Sequence, residues 1–151
     1  MINMRMWINN PVETSPWFHM RALHPHSFEV MRYFAGAVKS VAAFLVKGDD
    51  RICWSNAQVL LHFANGMVGC LQYSGSVTHS ASASRLEVVG DSTYLLDAFH
   101  NDKVTLFAED PFKSEWDVKQ LGARMWGHHQ QDEYFRRGPS TGCVAVPSAA
   151  T

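Results

Sequence analysis

Apolar residues repeat along this chain with two different periods, and the change of period divides it. Phe28, Met31 and Ala35 recur at helical spacing, with Val30 and Phe34 beside them, which gives one broad apolar face. Pro25 suits a first helical turn, because its ring fixes φ and its missing N–H would have no partner there. Glu29 is read in that first turn, where a carboxylate favours the positive end of the helix dipole. Gly36 follows as a C-terminal stop. The pattern predicts a loop from Trp17, carrying His19 and His24, that turns into a helix holding His26 at its start and ending at Ala35.

From there on the period is two. Residues 2–8 read as an initial strand, and Asn9-Asn10-Pro11 as the turn signal of a loop to Ser15. Val38–Lys47 is apolar on both pleat faces, which predicts a strand covered on both sides, either by a helix and a partner subunit or by two parts of one core. Gln58–Ala64 and Met67–Ser74 flank Asn65-Gly66, a strong hairpin signal. In that hairpin Val59, Leu61 and Phe63 point one way, as do Met67, Leu71 and Tyr73, with Gly69 marking a bulge or a close backbone approach. Residues 75–83 are small and Ser-rich and read as a mobile connection or a frayed strand end. Arg85–Val89 is a strand, Thr93–Phe99 and Val104–Ala108 form a second hairpin around residues 100–102, and Lys113–Lys119 reads as a further strand. Gly127–Arg137 is a polar helix candidate, and residues 138–151 read as a disordered or loosely docked tail. One helix, a meander of strands and a second helix predict an α+β fold: an open, mostly antiparallel mixed β-sheet with helices packed on one face, formed by residues 1–137.

Composition narrows the class. A chain of 151 residues that is 46% hydrophobic and 18% charged has the content of one folded domain. The net charge of −1 and the scattered Lys and Arg residues argue against nucleic acid as a partner. No apolar run reaches membrane-spanning length, and the first residues lack the pattern of a secretion signal. Cys53, Cys70 and Cys143 are far apart and odd in number, which fits neither a disulfide framework nor a cysteine zinc site and suits a reducing cytoplasm, and Cys70 reads as a small core residue of a strand.

The candidate chemistry lies where the loop meets the helix. A helix N-terminus disfavours imidazolium, so His26 is expected as a neutral ring that can accept a proton or hold a substrate hydroxyl. The structural alternative is a helix cap or a packed surface histidine. A zinc site made of His19, His24 and His26 is a third reading, but the spacing lacks the pattern of a zinc-binding helix and no acidic base stands nearby.

The segment from His26 through Arg32 and Gly36 to the Val38–Val41 strand resembles the signature of the Gfo/Idh/MocA oxidoreductases, the glucose–fructose oxidoreductase and inositol dehydrogenase relatives. Phe63-Ala-Asn-Gly66 and Arg85-Leu-Glu-Val-Val-Gly90 follow in the order of that family, and the likeness spans about residues 2–110. The resemblance implies the family's C-terminal domain, which forms the substrate pocket and pairs with another subunit through its open sheet face. A separate N-terminal Rossmann domain would hold NAD or NADP. It implies hydride transfer at a hydroxyl-bearing carbon of a sugar, cyclitol or related polyol, with His26 at the reacting hydroxyl and Trp17, His19, Arg21 and His24 lining the pocket.

Three features depart from the family pattern. The chain has no G-x-G-x-x-G, no Glu-Lys-Pro motif, and Ala22 where an aspartate often stands four residues before the histidine. Two readings follow. One is the substrate-binding and oligomerisation domain of an oxidoreductase, inactive as this chain alone, whether fragment or half of a two-chain enzyme. The other is a non-catalytic binding or assembly module with the same fold.

Overall fold

The computed structural model describes residues 1–9, 13–78, 83–91, 94–100, 102–108 and 113–117. Its strands are β1 (Ile2–Trp7), β2 (Val38–Val46), β3 (Asn56–Phe63), β4 (Val68–Ser74), β5 (Ala83–Val89), β6 (Leu95–Phe99), β7 (Lys103–Phe107) and β8 (Lys113–Asp117). They form one sheet in the order β2-β3-β4-β1-β5-β6-β7-β8. β1 lies parallel to β4, and the other neighbours are antiparallel. Among the described residues the helices are α1 (Phe18–Ala22) and α2 (His24–Ala35).

Register explains the core. Met4 faces Leu71 on one side and Leu86 on the other, while Val59 faces Leu71. The two-residue period therefore collects Ile2, Val59, Leu61, Phe63, Leu71, Tyr73 and Leu86 on one face. Met31 and Ala35 of α2 pack onto that face, and all of these residues are buried. Burial of each large apolar side chain contributes roughly 1.5–3 kcal/mol, so this layer is the main source of stability.

The turns form where local chemistry demands them. Gly66 has φ +87°, and its N–H donates to the Phe63 carbonyl at 3.0 Å, while the Asn65 side chain accepts from Met67 N–H at 2.9 Å. Gly36 ends α2 with φ +78°, its N–H donating to the Arg32 carbonyl at 2.8 Å. At Gly69 the feature is a close approach. A Cβ there would stand 2.8 Å from Ile2 Cγ2 and 3.0 Å from Phe63 Cε2.

Four expectations need correction. Among the described residues, the α+β class with helices packed on one face gives way to a mostly-sheet fold with one helical pair over part of one face. The helices are five and twelve residues long, and both precede β2. The physical reason is that, where the chain is described after Lys47, strand follows strand, several of them keeping the two-residue alternation. The expected helix at 127–137 and the tail at 138–151 lie outside the described residues.

The described residues of this chain do not cover the strand at Val38–Lys47 on both sides. β2 ends the sheet among the described residues, and Val41 and Phe44, on opposite faces, are 60% and 74% exposed. The apolar surface of α2 is spent on β1, β3 and β4 instead. The segment Trp17–His24 is helical rather than a loop. Glu29 consequently falls beyond the first turn of α2, where it pairs with Arg32 at 3.0 Å in an exposed contact worth little. Finally, Cys70 is a half-buried residue of β4, whereas Cys53 is the core cysteine.

Candidate functional site

The site grows from the way the two helices meet the end of the sheet. Phe18 N–H donates to the Ser15 carbonyl at 3.1 Å, which starts α1, and Leu23 N–H closes it on the His19 carbonyl at 3.0 Å. With Pro25 in its first turn, α2 begins at once. The sharp junction turns the histidines in different directions. His19 and His24 are fully buried against the sheet, and His26 is exposed.

Tyr73 receives both buried rings. The His24 ring meets it edge-on with centroids 4.1 Å apart, and the Tyr73 hydroxyl shares a hydrogen bond with His19 Nδ1. His24 Nδ1 stands 3.4 Å from Ser27 Oγ, while its Nε2 has no partner among the described residues. Burial, aided by the charge of His19, pulls the His24 pKa down to about 4. Burial also pushes the Tyr73 hydroxyl up. The His24 imidazole and the Tyr73 phenol are therefore neutral near pH 7.

Cys53 and Glu13 extend the cluster. Cys53 Sγ lies 3.3 Å from Nδ1 and 3.7 Å from Nε2 of His19. One Glu13 carboxylate oxygen accepts from the backbone N–H groups of Ile52 at 2.6 Å and Cys53 at 3.0 Å, and the other pairs with Arg51. Burial pushes the Glu13 carboxyl up, but the Cys53 and Ile52 donors together with Arg51 outweigh it and hold the pKa at about 2. Burial and the neighbouring Glu13 push the Cys53 thiol up, which keeps it protonated and unreactive. Arg51 Nη2 also donates to the Gly75 carbonyl at 3.4 Å. A Cβ at Gly75 would stand 2.8 Å from His19 Cε1, so only glycine lets the chain pass this close. The cluster ties together the segments around Glu13, Arg51 and Gly75.

Donor atoms of Glu13, His19 and Cys53 lie within 4.8 Å of one another, the one such trio among the described residues. Arg51 already supplies a positive charge to Glu13 there. The expected zinc trio does not assemble, since His26 points away from His19 and His24. A dinucleotide is not matched either. The one parallel strand pair, β1 with β4, is joined through no glycine-rich loop opening a helix, and α2 starts with His-Pro-His.

Trp17 is 45% exposed and leans on Trp54, with ring centroids 6.2 Å apart. Arg21 is exposed on α1. The exposed members of the predicted set are thus Trp17, Arg21 and His26, with His19 and His24 beneath them. Sequence reasoning missed Glu13, Arg51 and Trp54. Glu13 and Arg51 are 38 positions apart, and nothing local to either signals the pairing.

The fold matches part of several solved dehydrogenases and oxidoreductases. It matches a levoglucosan dehydrogenase solved with NADH and L-sorbose (TM-score 0.72, 15% identity, 97% of this chain and 50% of that one). It also matches a dehydrogenase from Chromobacterium violaceum (0.71, 14% identity, 90% and 44%). A third likeness is to an oxidoreductase from Agrobacterium radiobacter in complex with NAD+, L-tartaric acid and magnesium (0.70, 13% identity, 96% and 48%). At such identities the likeness is one of fold, and the chain spans about half the length of these proteins. The chain belongs to the GFO/IDH/MocA C-terminal domain family, whose model matches residues 1–95. Comparison with the curated proteins finds no match.

Proposed function

We propose that this chain is the substrate-binding and subunit-contact domain of an NAD(P)-dependent oxidoreductase acting on a sugar, cyclitol or related polyol. The observation that carries the reading is the family match together with coverage of about half of dehydrogenases solved with nicotinamide. The cofactor would sit on a separate Rossmann domain, because these residues do not fit it. Hydride chemistry belongs to that cofactor, and this chain positions and polarises.

In this reading His26 accepts or holds the proton of the reacting hydroxyl. It stands exposed in the first turn of α2, where a ligand can reach its ring. Trp17 and Arg21 offer an aromatic face and a cation from α1. His19 and His24 belong to the same pocket as its buried support, joined through Tyr73. The open sheet face takes a second subunit. It carries Arg5, whose buried Nε has no partner among the described residues, over a cavity of about 210 Å³ shared with Gln72, Arg85 and Glu87.

Ala22 favours a second reading, a non-catalytic module, because it leaves His26 without the acid that often accompanies it. Co-purification from the native cell separates the two. The enzyme reading expects a Rossmann-bearing partner and nicotinamide-dependent polyol oxidation by the assembly. An assembly that binds polyol without turnover selects the module. No helix among the described residues is long and apolar enough to cross a membrane.

A further inference from the structure

Among the described residues, the two end strands of the sheet are finished differently, and the difference points to a partner. β8, Lys-Ser-Glu-Trp-Asp, carries three charges in five residues. Charged side chains on an end strand discourage pairing with another chain. β2 reads Val-Lys-Ser-Val-Ala-Ala-Phe-Leu-Val over nine residues, with its single charge at Lys39 and no proline or glycine. Antiparallel to β3 on one side, it has no neighbouring strand on the other among the described residues. Its exposed residues include Val41 at 60%, Phe44 at 74% and Val46 at 61%. A long, apolar strand of this kind offers a free row of backbone donors and acceptors.

We infer that β2 pairs edge to edge with β2 of a second copy of this chain, antiparallel about a two-fold axis through Ala42. A two-fold axis normal to the sheet keeps both helical faces on one side, and that requires paired residue numbers to have an even sum. Centring on Ala42, the midpoint of β2, sets Ser40 against Phe44 of the second copy and Val41 against Ala43. Centring on Ala43 would set Lys39 against Lys47 of the second copy, where like charges oppose. The irregularity between Val38 and Ser40 confines the regular pairing to the segment from Ser40 to Phe44. Small alanine side chains at the axis let the two strands approach. The charged β8 edge disfavours the alternative pairing of β2 with β8, which would build an open polymer. This contact is distinct from the face-to-face association proposed above and does not depend on it.

Disulfide capture in the full chain tests the register. Ser40, Ala42 and Phe44 are exposed, so cysteines there leave the core untouched. Facing residues of an antiparallel pair lie within disulfide reach, whereas Phe44 and its own copy would be about 13 Å apart. Under mild oxidation, Ala42→Cys and the double variant Ser40→Cys/Phe44→Cys are expected to convert most of the chain to covalent dimer, several-fold above wild type. Phe44→Cys alone is expected to stay at the wild-type level, which accounts for the native cysteines. Two results overturn the inference: Ala42→Cys dimer no higher than wild type, or Phe44→Cys alone cross-linking as well as Ala42→Cys. In the first case, a wild-type chain that light scattering still shows as a dimer associates through another surface. A chain that scatters as a monomer leaves β2 to a different occupant.

Discussion

The half of the sheet beneath the helices and the half beyond β5 are held by different forces. In β3, β4 and β1 the cross-strand neighbours are buried apolar side chains sealed by Met31 and Ala35. In β6, β7 and β8 apolar pairs such as Leu96 with Leu106 and Ala98 with Val104 are only half-buried, Thr105 alone being buried, and ion pairs tie the strands: Asp97 takes Arg85 of β5 through two bonds of 2.9 and 3.0 Å, and Glu115 takes Lys103 at 2.6 Å and Lys113 at 2.8 Å. The Lys103, Lys113 and Glu115 side chains are all more than a third exposed. Burial stabilises the first half, whereas exposed ion pairs contribute little and are screened by salt. The outer half therefore depends on the inner one, and the functional groups stand on the stable half.

Substitutions can break this contrast in graded steps. Leu71→Ala, in a fully buried position of β4, is expected to cost about 2–5 kcal/mol by denaturant titration. A pH titration comes next. His24 has a depressed pKa in the fold, so the unfolded chain binds its proton first as pH falls. Stability is complete above about 6.5 and declines toward about 4, by about 3 kcal/mol. Glu13 adds a loss of the same sign at lower pH, as its carboxyl is protonated between about 4.5 and 2. His24→Gln should flatten the upper limb alone. Gly69→Ala, which crowds Ile2 and Phe63, is expected to cost about 1–3 kcal/mol. Glu115→Gln in the outer half should leave the thermal midpoint unchanged at moderate salt. A large fall there would show that the charged ladder matters more than exposed pairs ordinarily do.

Much of the sheet was legible from local pattern. Alternation located β3 and β4, Asn65-Gly66 fixed their hairpin, and Gly69 marked the one place where a side chain would collide with Ile2 and Phe63. The insertion of β1 between β4 and β5 was not legible, because that pairing joins residues more than 60 positions apart. The two faces of β2 misled for a related reason. An apolar strand looks the same whether its cover comes from its own chain or from another. The site divided along the same line. Pro25 placed His26 correctly near a helix start, whereas the burial of His19 and His24 depends on Tyr73, about 50 positions away. The Glu13–Arg51 tie has no local signature at all.

The most direct measurement is steady-state turnover of the complete enzyme that contains this domain, with His26→Ala compared to wild type. Because His26 is exposed, the variant should unfold at the same midpoint. The account predicts that kcat falls by at least about 100-fold, the scale of a lost general acid or base. Undiminished turnover in a folded His26→Ala enzyme would contradict the role given to α2 and with it the placement of the substrate on this domain.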